Sequence, residues 1–496
     1  MELSTGRLYF FKRIRRFFMR NRIYKRILAF SIASVLMAFS CIGCGGGSAP
    51  EVSSRAAVPD TQEPESPAQT QSRTADSETT APASADSADY IPADDEYFYV
   101  NGKSPEEITG NILFWSWDPN FFTMVEKMND IYPNVTFEFV TIASAEDYLQ
   151  KLQTALTSGG EVPDILAMEI GMVGKFYEMG ICEDISAEPW NIDQDLLIPY
   201  LAEIGTDNDG TFIGIPNTAA PGGLFYRRDL AKEYLGTDDP DEISAMMPTW
   251  QDFINVGKDV AAKSGGTVSM IPGMDSLVYP MVNQTGLSWK DGDKLMVSEN
   301  FTETFELLKE VKAANIDGGM DIWTPAWNAS FAQGNVLCYP GSCWFQSFVI
   351  EPNDPDGSGN WGVASVPGGS YNWGGIWWGM YNQSKNKDAV AAWMRYELSP
   401  QGAQNKYELI HFYPGVKTAY SSEYLYKPNE FFANQNVTDF YLKEMDEMTV
   451  LRPLSDDSMF YNSMSFFAQS LDSGTAQELA DKVEEDLISS NPDYQK

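Results

Sequence analysis

From Asn111 onward, short apolar runs alternate with segments of helical period. NILFWSW (111–117), VTFEFVTI (135–142) and PDILAME (163–169) have strand length and composition. Between the first two, FFTMVEKMNDIY brings Phe122, Val125 and Ile131 near one helical face. Between the second and third, SAEDYLQKLQTALTSGG aligns Leu149, Leu152 and Leu156, with Ser144 as N-cap and Gly159-Gly160 as the stop. Strand, helix, strand, helix, strand in this order predicts a parallel, doubly wound sheet.

The rhythm then changes. DNDGTFIGIP (207–216) predicts a hairpin turn feeding a strand, and GGLFYRRDLAKEYLG a strand and a helix. Thr249-Trp250-Gln251-Asp252 opens a further helix with a capping pair, KDGDKL is a second hairpin, and NFTETFELLKEVKAAN (300–315) is another helix. GNVLCYPGSCWF and NWGVASVPGG look like strands. NKDAVAAWMRYELSPQGAQ predicts two helices, the second opened by Ser399-Pro400. No internal repeat is visible.

The N-terminal region follows a different logic. Nine Lys or Arg fall between Arg7 and Arg26, followed by the uncharged run Ile27 to Gly43. A basic segment, an apolar segment and a small residue before a cut describe a secretory signal, 1–43, with Met19 as an alternative start. The apolar run is also about as short as a membrane-spanning helix can be, which leaves an uncleaved anchor as the second choice. Cys41-Ile42-Gly43-Cys44 resembles a bacterial lipoprotein box, and that resemblance makes Cys44 the lipidated residue. Two alternatives for the cysteine pair fail: a zinc site needs a second ligand pair, and a redox CxxC should open a helix, which Gly45-Gly46-Gly47 cannot do. Residues 44–95 are almost entirely Gly, Ser, Ala, Pro, Thr, Asp, Glu and Gln, and read as a disordered acidic tether.

Charge removes one class of function. The chain has 34 Lys and Arg against 70 Asp and Glu, and many of the cations lie in the signal. Nucleic-acid binding, which needs a basic surface, is excluded. Of the remaining cysteines, Cys338 and Cys343 in CYPGSC could close a small loop, and Cys182 reads as a buried small hydrophobe.

Four segments carry a likeness: PDILAMEIG, FIGIPNTAAPGGLFYRRDLAKEYLG, GNVLCYPGSCWF and VPGGSYNWGGIWWGMYNQSKNKDAVAAWMRYELSPQGAQ. In order and spacing the chain resembles the extracellular solute-binding lipoproteins of carbohydrate ABC importers, in the sugar-binding branch related to maltose-binding protein. The resemblance implies an α/β fold of the two-lobed periplasmic-binding-protein type II kind. Each lobe would be a mixed or parallel sheet flanked by helices, with hinge strands joining the lobes. The expected division is 96–216 as the first part of the N-lobe, 217–330 as the first part of the C-lobe, 331–366 as a return to the N-lobe, and 367–496 as mainly C-lobe. The resemblance further implies a monomer that binds a carbohydrate between its lobes and passes it to membrane permease subunits, with no cofactor.

Open parallel sheets hold ligands beyond the carboxyl ends of their strands. That rule selects Trp115, Trp117 and Asp118 after the first strand, Glu169 and Ile170 after the third, and Asp275 after VSMIPG. It also selects Ser342 and Trp344 after VLCYPG, and Tyr371, Asn372 and Trp373 after VASVPGG. A pyranose stacks its C–H faces on Trp or Tyr and offers a rim of hydroxyls to carboxylates and amides, which suits a chain with 13 Trp. Trp377 and Trp378 are strand neighbours that point to opposite faces, so one is expected in the cleft, and Trp377 represents the pair. Trp250 and Trp393, on helix faces, are expected in the core. Asn217 and Thr218 flank a hinge. The ligand-binding candidates are therefore Trp117, Asp118, Glu169, Asp275, Trp344, Trp373 and Trp377, with no catalytic or metal residue among them.

Enzyme readings find little support. GSGNWG matches GxGxxG literally, but a Pro-rich turn precedes it and a strand follows. His411 is the only histidine and sits in a turn-like segment, so a Ser-His or Cys-His site is not expected. A surface glycoside hydrolase needs only two carboxylates, which keeps it open as a rival. The other rival is a binding protein for a non-sugar such as a polyamine or peptide.

Overall fold

The computed structural model describes residues 95–449 and 451–496, so the expected signal, Cys44 and the tether lie outside the described residues. Its strands are β1 (Gly110–Ser116), β2 (Val135–Thr141), β3 (Ile165–Glu169), β4 (Gly214–Pro216), β5 (Gly222–Arg227), β6 (Lys290–Asp291), β7 (Lys294–Leu295), β8 (Cys338–Ser342), β9 (Trp361–Ala364) and β10 (Ile376–Met380). β1 runs parallel to β2 and β3, as the alternation of the first segments predicts. The crossover helix Ala145–Ser158 is capped as expected. Ser144 Oγ accepts from Asp147 N at 3.1 Å, and Gly159 closes the helix at φ 71°, a left-handed conformation open to glycine. The other crossover is shorter than its sequence pattern: the helix Asn120–Glu126 passes into a 3₁₀ turn, Lys127–Asp130.

The first sheet is completed out of sequence order. β10 pairs antiparallel with β3 on one side and β4 on the other, giving β2-β1-β3-β10-β4. Helix Lys387–Leu398 packs against β1 and β10, and helix Pro400–Ile410 follows it with Ser399 as N-cap. In the second sheet, β5 lies between β8 and β9, antiparallel to both. Gly222 is required there: a Cβ would meet the Tyr371 ring at 2.1 Å. Helices Thr302–Ala313, Asp457–Ala468 and Ala476–Ser490 pack together within this lobe, and β6 and β7 form the KDGDKL hairpin.

This pairing corrects the expected division of the chain. β8 and β9 lie within 331–366 yet belong to the sheet of β5, and β10 with its two following helices belongs to the first sheet. The reason is burial on both faces: CYPGS, WGVA and IWWGM are buried at every position, so they show no alternation that would mark a sheet or a face.

Three segments cross between the sheets and are hydrogen-bonded to one another. Residues 217–221 bridge to 411–416 through Ala219 N to Tyr413 O (2.9 Å), and to 365–375 through Trp373 N to Ala220 O (3.1 Å). Thr218 Oγ1 donates to Tyr413 O at 3.0 Å, a backbone role at the hinge. A buried ion pair, Lys406–Glu397 at 2.5 Å, supports the crossing from below, with Lys406 Nζ also donating to Asn217 O at 2.8 Å. Among the described residues, no helix is long and apolar enough to cross a membrane.

Candidate functional site

Because β1 and β3 are parallel, their carboxyl ends lie at one sheet edge. Extending the Phe114–Ile165 register brings Asp118 level with Glu169. Trp115, on the other side of the strand, is buried beneath Lys151, whose Nζ lies 3.8 Å from the ring. Trp117 is half-buried with its ring edge-on to Tyr148 at 5.5 Å. Asp118 caps the helix that follows, accepting from Asn120 N at 2.9 Å, and burial raises its carboxyl above the usual range.

Glu169 faces the second lobe. Its Oε2 accepts from Gly171 N at 2.7 Å, yet desolvation pushes its pKa up to about 7, with Glu146 and Asp457 adding to the rise. Asp457 opens the helix Asp457–Ala468 on the other lobe. It accepts from Trp289 Nε1 at 2.7 Å and Leu454 N at 2.8 Å, and burial pushes it up to about 6. Beside these carboxyls lies an aromatic stack. Tyr279 sits parallel to Tyr461 at 4.2 Å on one side and to Trp373 at 4.8 Å on the other. Tyr279, Tyr461, Asp457, Asn283 and Asn372 line a cavity of about 30 Å³ with Ile170 and Gly171 of the first lobe. Asn372 Oδ1 is buried there without a hydrogen-bond partner in the protein.

The lobes touch across this cavity. Ser458 donates to Gly171 O through Oγ at 2.7 Å and through its backbone N at 3.2 Å. Asp456 pairs with Lys175 at 3.6 Å. Arg452 Nη2 donates to Thr206 O at 2.7 Å, and its guanidinium lies 4.7 Å from the Tyr177 ring.

The expected site residues therefore separate. Glu169 and Trp373 stand just behind the cavity wall, Glu169 next to the lining residue Ile170 and Trp373 stacked on Tyr279, and Trp344 donates from Nε1 to Trp373 O at 2.9 Å. Asp275 is buried and does not line the cavity, accepting from Ile322 N at 3.0 Å and Gln469 Nε2 at 3.2 Å. Trp377 corrects the sequence expectation. It is fully buried, donating to Leu201 O at 2.9 Å, and Trp378 is equally buried among Phe114, Phe121 and Trp393. Alternation does hold, but both faces of β10 are covered, so neither ring enters a cleft. Trp250 and Trp393 are core residues, as expected.

Tyr279, Tyr461 and Asp457 were not selected by the strand-end rule because they sit on helices. Tyr279 lies four residues beyond Asp275, one helical turn on, a spacing that could have flagged it. Cys338 and Cys343 are free thiols, both buried, with Cys343 Sγ donating to Ala219 O at 3.2 Å. His411 ends its helix in the left-handed region, with Nδ1 3.0 Å from Ser347 Oγ and a pKa lowered by burial.

Two α/β lobes, three laced crossings and an aromatic, carboxyl-lined cavity where the lobes meet define a two-lobed solute-binding protein. The chain belongs to the bacterial extracellular solute-binding protein family, whose model matches residues 123–433. A lactose-binding protein of Rhizobium radiobacter is 25% identical over 361 residues, covering 67% of this chain and 82% of that protein. An arabinooligosaccharide-binding protein of Halalkalibacterium halodurans is 21% identical over 361 residues, covering 68% and 79%. The fold matches a crystal structure of an extracellular solute-binding protein family 1 member with a TM-score of 0.65 at 22% identity, covering 76% of this chain and 99% of that one. It also matches the galacto-N-biose-/lacto-N-biose I-binding protein of Bifidobacterium longum with a TM-score of 0.64 at 18% identity, covering 77% and 97%.

Proposed function

We propose that this protein captures a sugar or oligosaccharide between its lobes and delivers it to the permease subunits of an ABC importer. In this reading it works as a monomer held to the outer face of the cell membrane by lipid on Cys44, with the acidic segment 44–95 as tether. The observation that carries the reading is the Trp373–Tyr279–Tyr461 stack beside Glu169, Asp457, Asn283 and Asn372. Flat apolar faces next to fixed polar groups suit a pyranose, whose hydroxyls would pair with the Asn372 oxygen. The sugars named for the two relatives support the same class.

The cavity is at least about tenfold smaller than an ordinary ligand pocket, so entry requires the lobes to part. Parting would break the Ser458–Gly171, Asp456–Lys175 and Arg452–Thr206 contacts while the crossing segments flex. Ligand that touches both lobes then shifts the population back to the closed form, which is the face offered to the permease. A second reading, a polyamine ligand, is favoured by one feature: two carboxyls, Asp457 in the cavity wall and Glu169 just behind it, are desolvated beside aromatic rings.

A thermal-shift screen over sugars and polyamines tests the choice, since ligand that binds the folded state raises Tm. A sugar response lost in Trp373→Ala and weakened in Trp344→Ala supports the proposal. A response to polyamines alone replaces it with the second reading, and product formation from oligosaccharides at enzyme-like rates would overturn both.

A further inference from the structure

We infer that Trp323 forms an outer subsite, so that the preferred ligand is an extended oligosaccharide and not a single sugar or disaccharide. The inference rests on the sugar-binding reading and adds to it the length of the ligand. Trp323 is 56% exposed, the most exposed tryptophan among the described residues. A lone exposed apolar side chain means little. This one, however, is held at φ 64°, a backbone conformation that bulky residues rarely adopt.

The surroundings account for how it is held. Asp275, buried below, accepts from Ile322 N, and Thr324 on the other side donates to Asp321 O at 2.7 Å and accepts from Trp327 N at 3.3 Å. Both neighbours of Trp323 are thus fixed, and its ring rests edge-on to Trp327 at 4.9 Å. In that position the ring lies parallel to Trp344, 9° between planes and 6.2 Å between centroids. Trp344 in turn meets Trp373 at 6.1 Å, and Trp373 stacks on Tyr279. Ring contacts thus run from Tyr279 in the cavity wall, through buried Trp373 and half-buried Trp344, to Trp323 in solvent. The inner end of this row is enclosed and its outer end is open, which is the arrangement a chain-like ligand needs. Asp275, expected from sequence to touch ligand, is on this view a positioning residue for the loop that presents Trp323.

The test compares wild type, Trp323→Ala and Trp323→Phe by calorimetric titration with lactose and with arabino-oligosaccharides from disaccharide to pentasaccharide. Wild-type affinity should rise with chain length. Trp323→Ala should weaken the longest sugars about tenfold while leaving disaccharides within about twofold, and Trp323→Phe should retain most of the gain with length. Equal losses at every length, no loss at any length, or no length preference in wild type overturns the subsite while leaving sugar binding intact. A wild type that binds none of these sugars overturns the sugar reading and the subsite together.

Discussion

Replacing Glu169 by Gln removes a charge that burial desolvates, while keeping an oxygen to accept from Gly171 N. The sign follows from the direction of the shift. The folded pKa is raised from 4.5 to about 7, so on raising the pH the unfolded chain ionises first. Wild type and Glu169→Gln should therefore match in stability below about pH 4.5, diverge as pH rises toward 7, and hold a constant gap above it. A shift of this size corresponds to roughly 3 kcal/mol, and partial exposure of the side chain reduces the expected gap at pH 8 to about 2 kcal/mol in favour of the Gln variant. Asp457 titrates in the same direction, up to about 6, and is coupled to Glu169 by charge, so the gap between the two proteins reports Glu169 together with its coupling to Asp457. Urea denaturation across this pH range measures the gap. A gap that does not change with pH, or one that favours wild type at high pH, would refute the desolvation argument.

Two further outcomes are expected. Lys406→Met leaves Glu397 buried without its partner and Asn217 O without its donor, for a loss of about 3–5 kcal/mol in urea denaturation. Adding Glu397→Leu should restore most of it, and a loss below about 1 kcal/mol for the single variant would contradict the buried-pair reading. Arg452→Ala removes the bonds to Thr206 O and Asn208 Oδ1 and the contact with Tyr177, so ligand-free protein should scatter as a larger particle and bind ligand several-fold more weakly. An unchanged scattering profile with unchanged affinity would show that Arg452 does not hold the lobes together.

Much of the fold could be read in the sequence because local chemistry decided it. Ser144, Gly159, Thr249 and Ser399 take up the capping roles their neighbours predict, and the first three strands pair as alternation with helices requires. Sheet membership in the second half was not legible. WGVA and IWWGM are equally buried and equally apolar, and only long-range pairing sends one to β5 and the other to β3. The site divides the same way. Glu169, Trp344 and Trp373 follow from strand ends, whereas Tyr279, Tyr461 and Asp457 come from helices that reach the cavity through packing between distant segments. Trp377 shows the limit of the alternation rule, which gives the side of a strand but not what covers it.

The start of the described body is stitched to one lobe only. Tyr97 and Arg395 exchange bonds to each other's backbone carbonyls, at 3.1 Å in both directions, and Phe98 O accepts from Tyr132 Oη at 2.9 Å. The helix carrying Arg395 lies against the first sheet. A pull from the N-terminal side is therefore taken up by that sheet as by a fixed mount. The load path ends there and does not run through the crossings, so the second lobe stays out of it, as a door does when its frame alone is bolted to the wall.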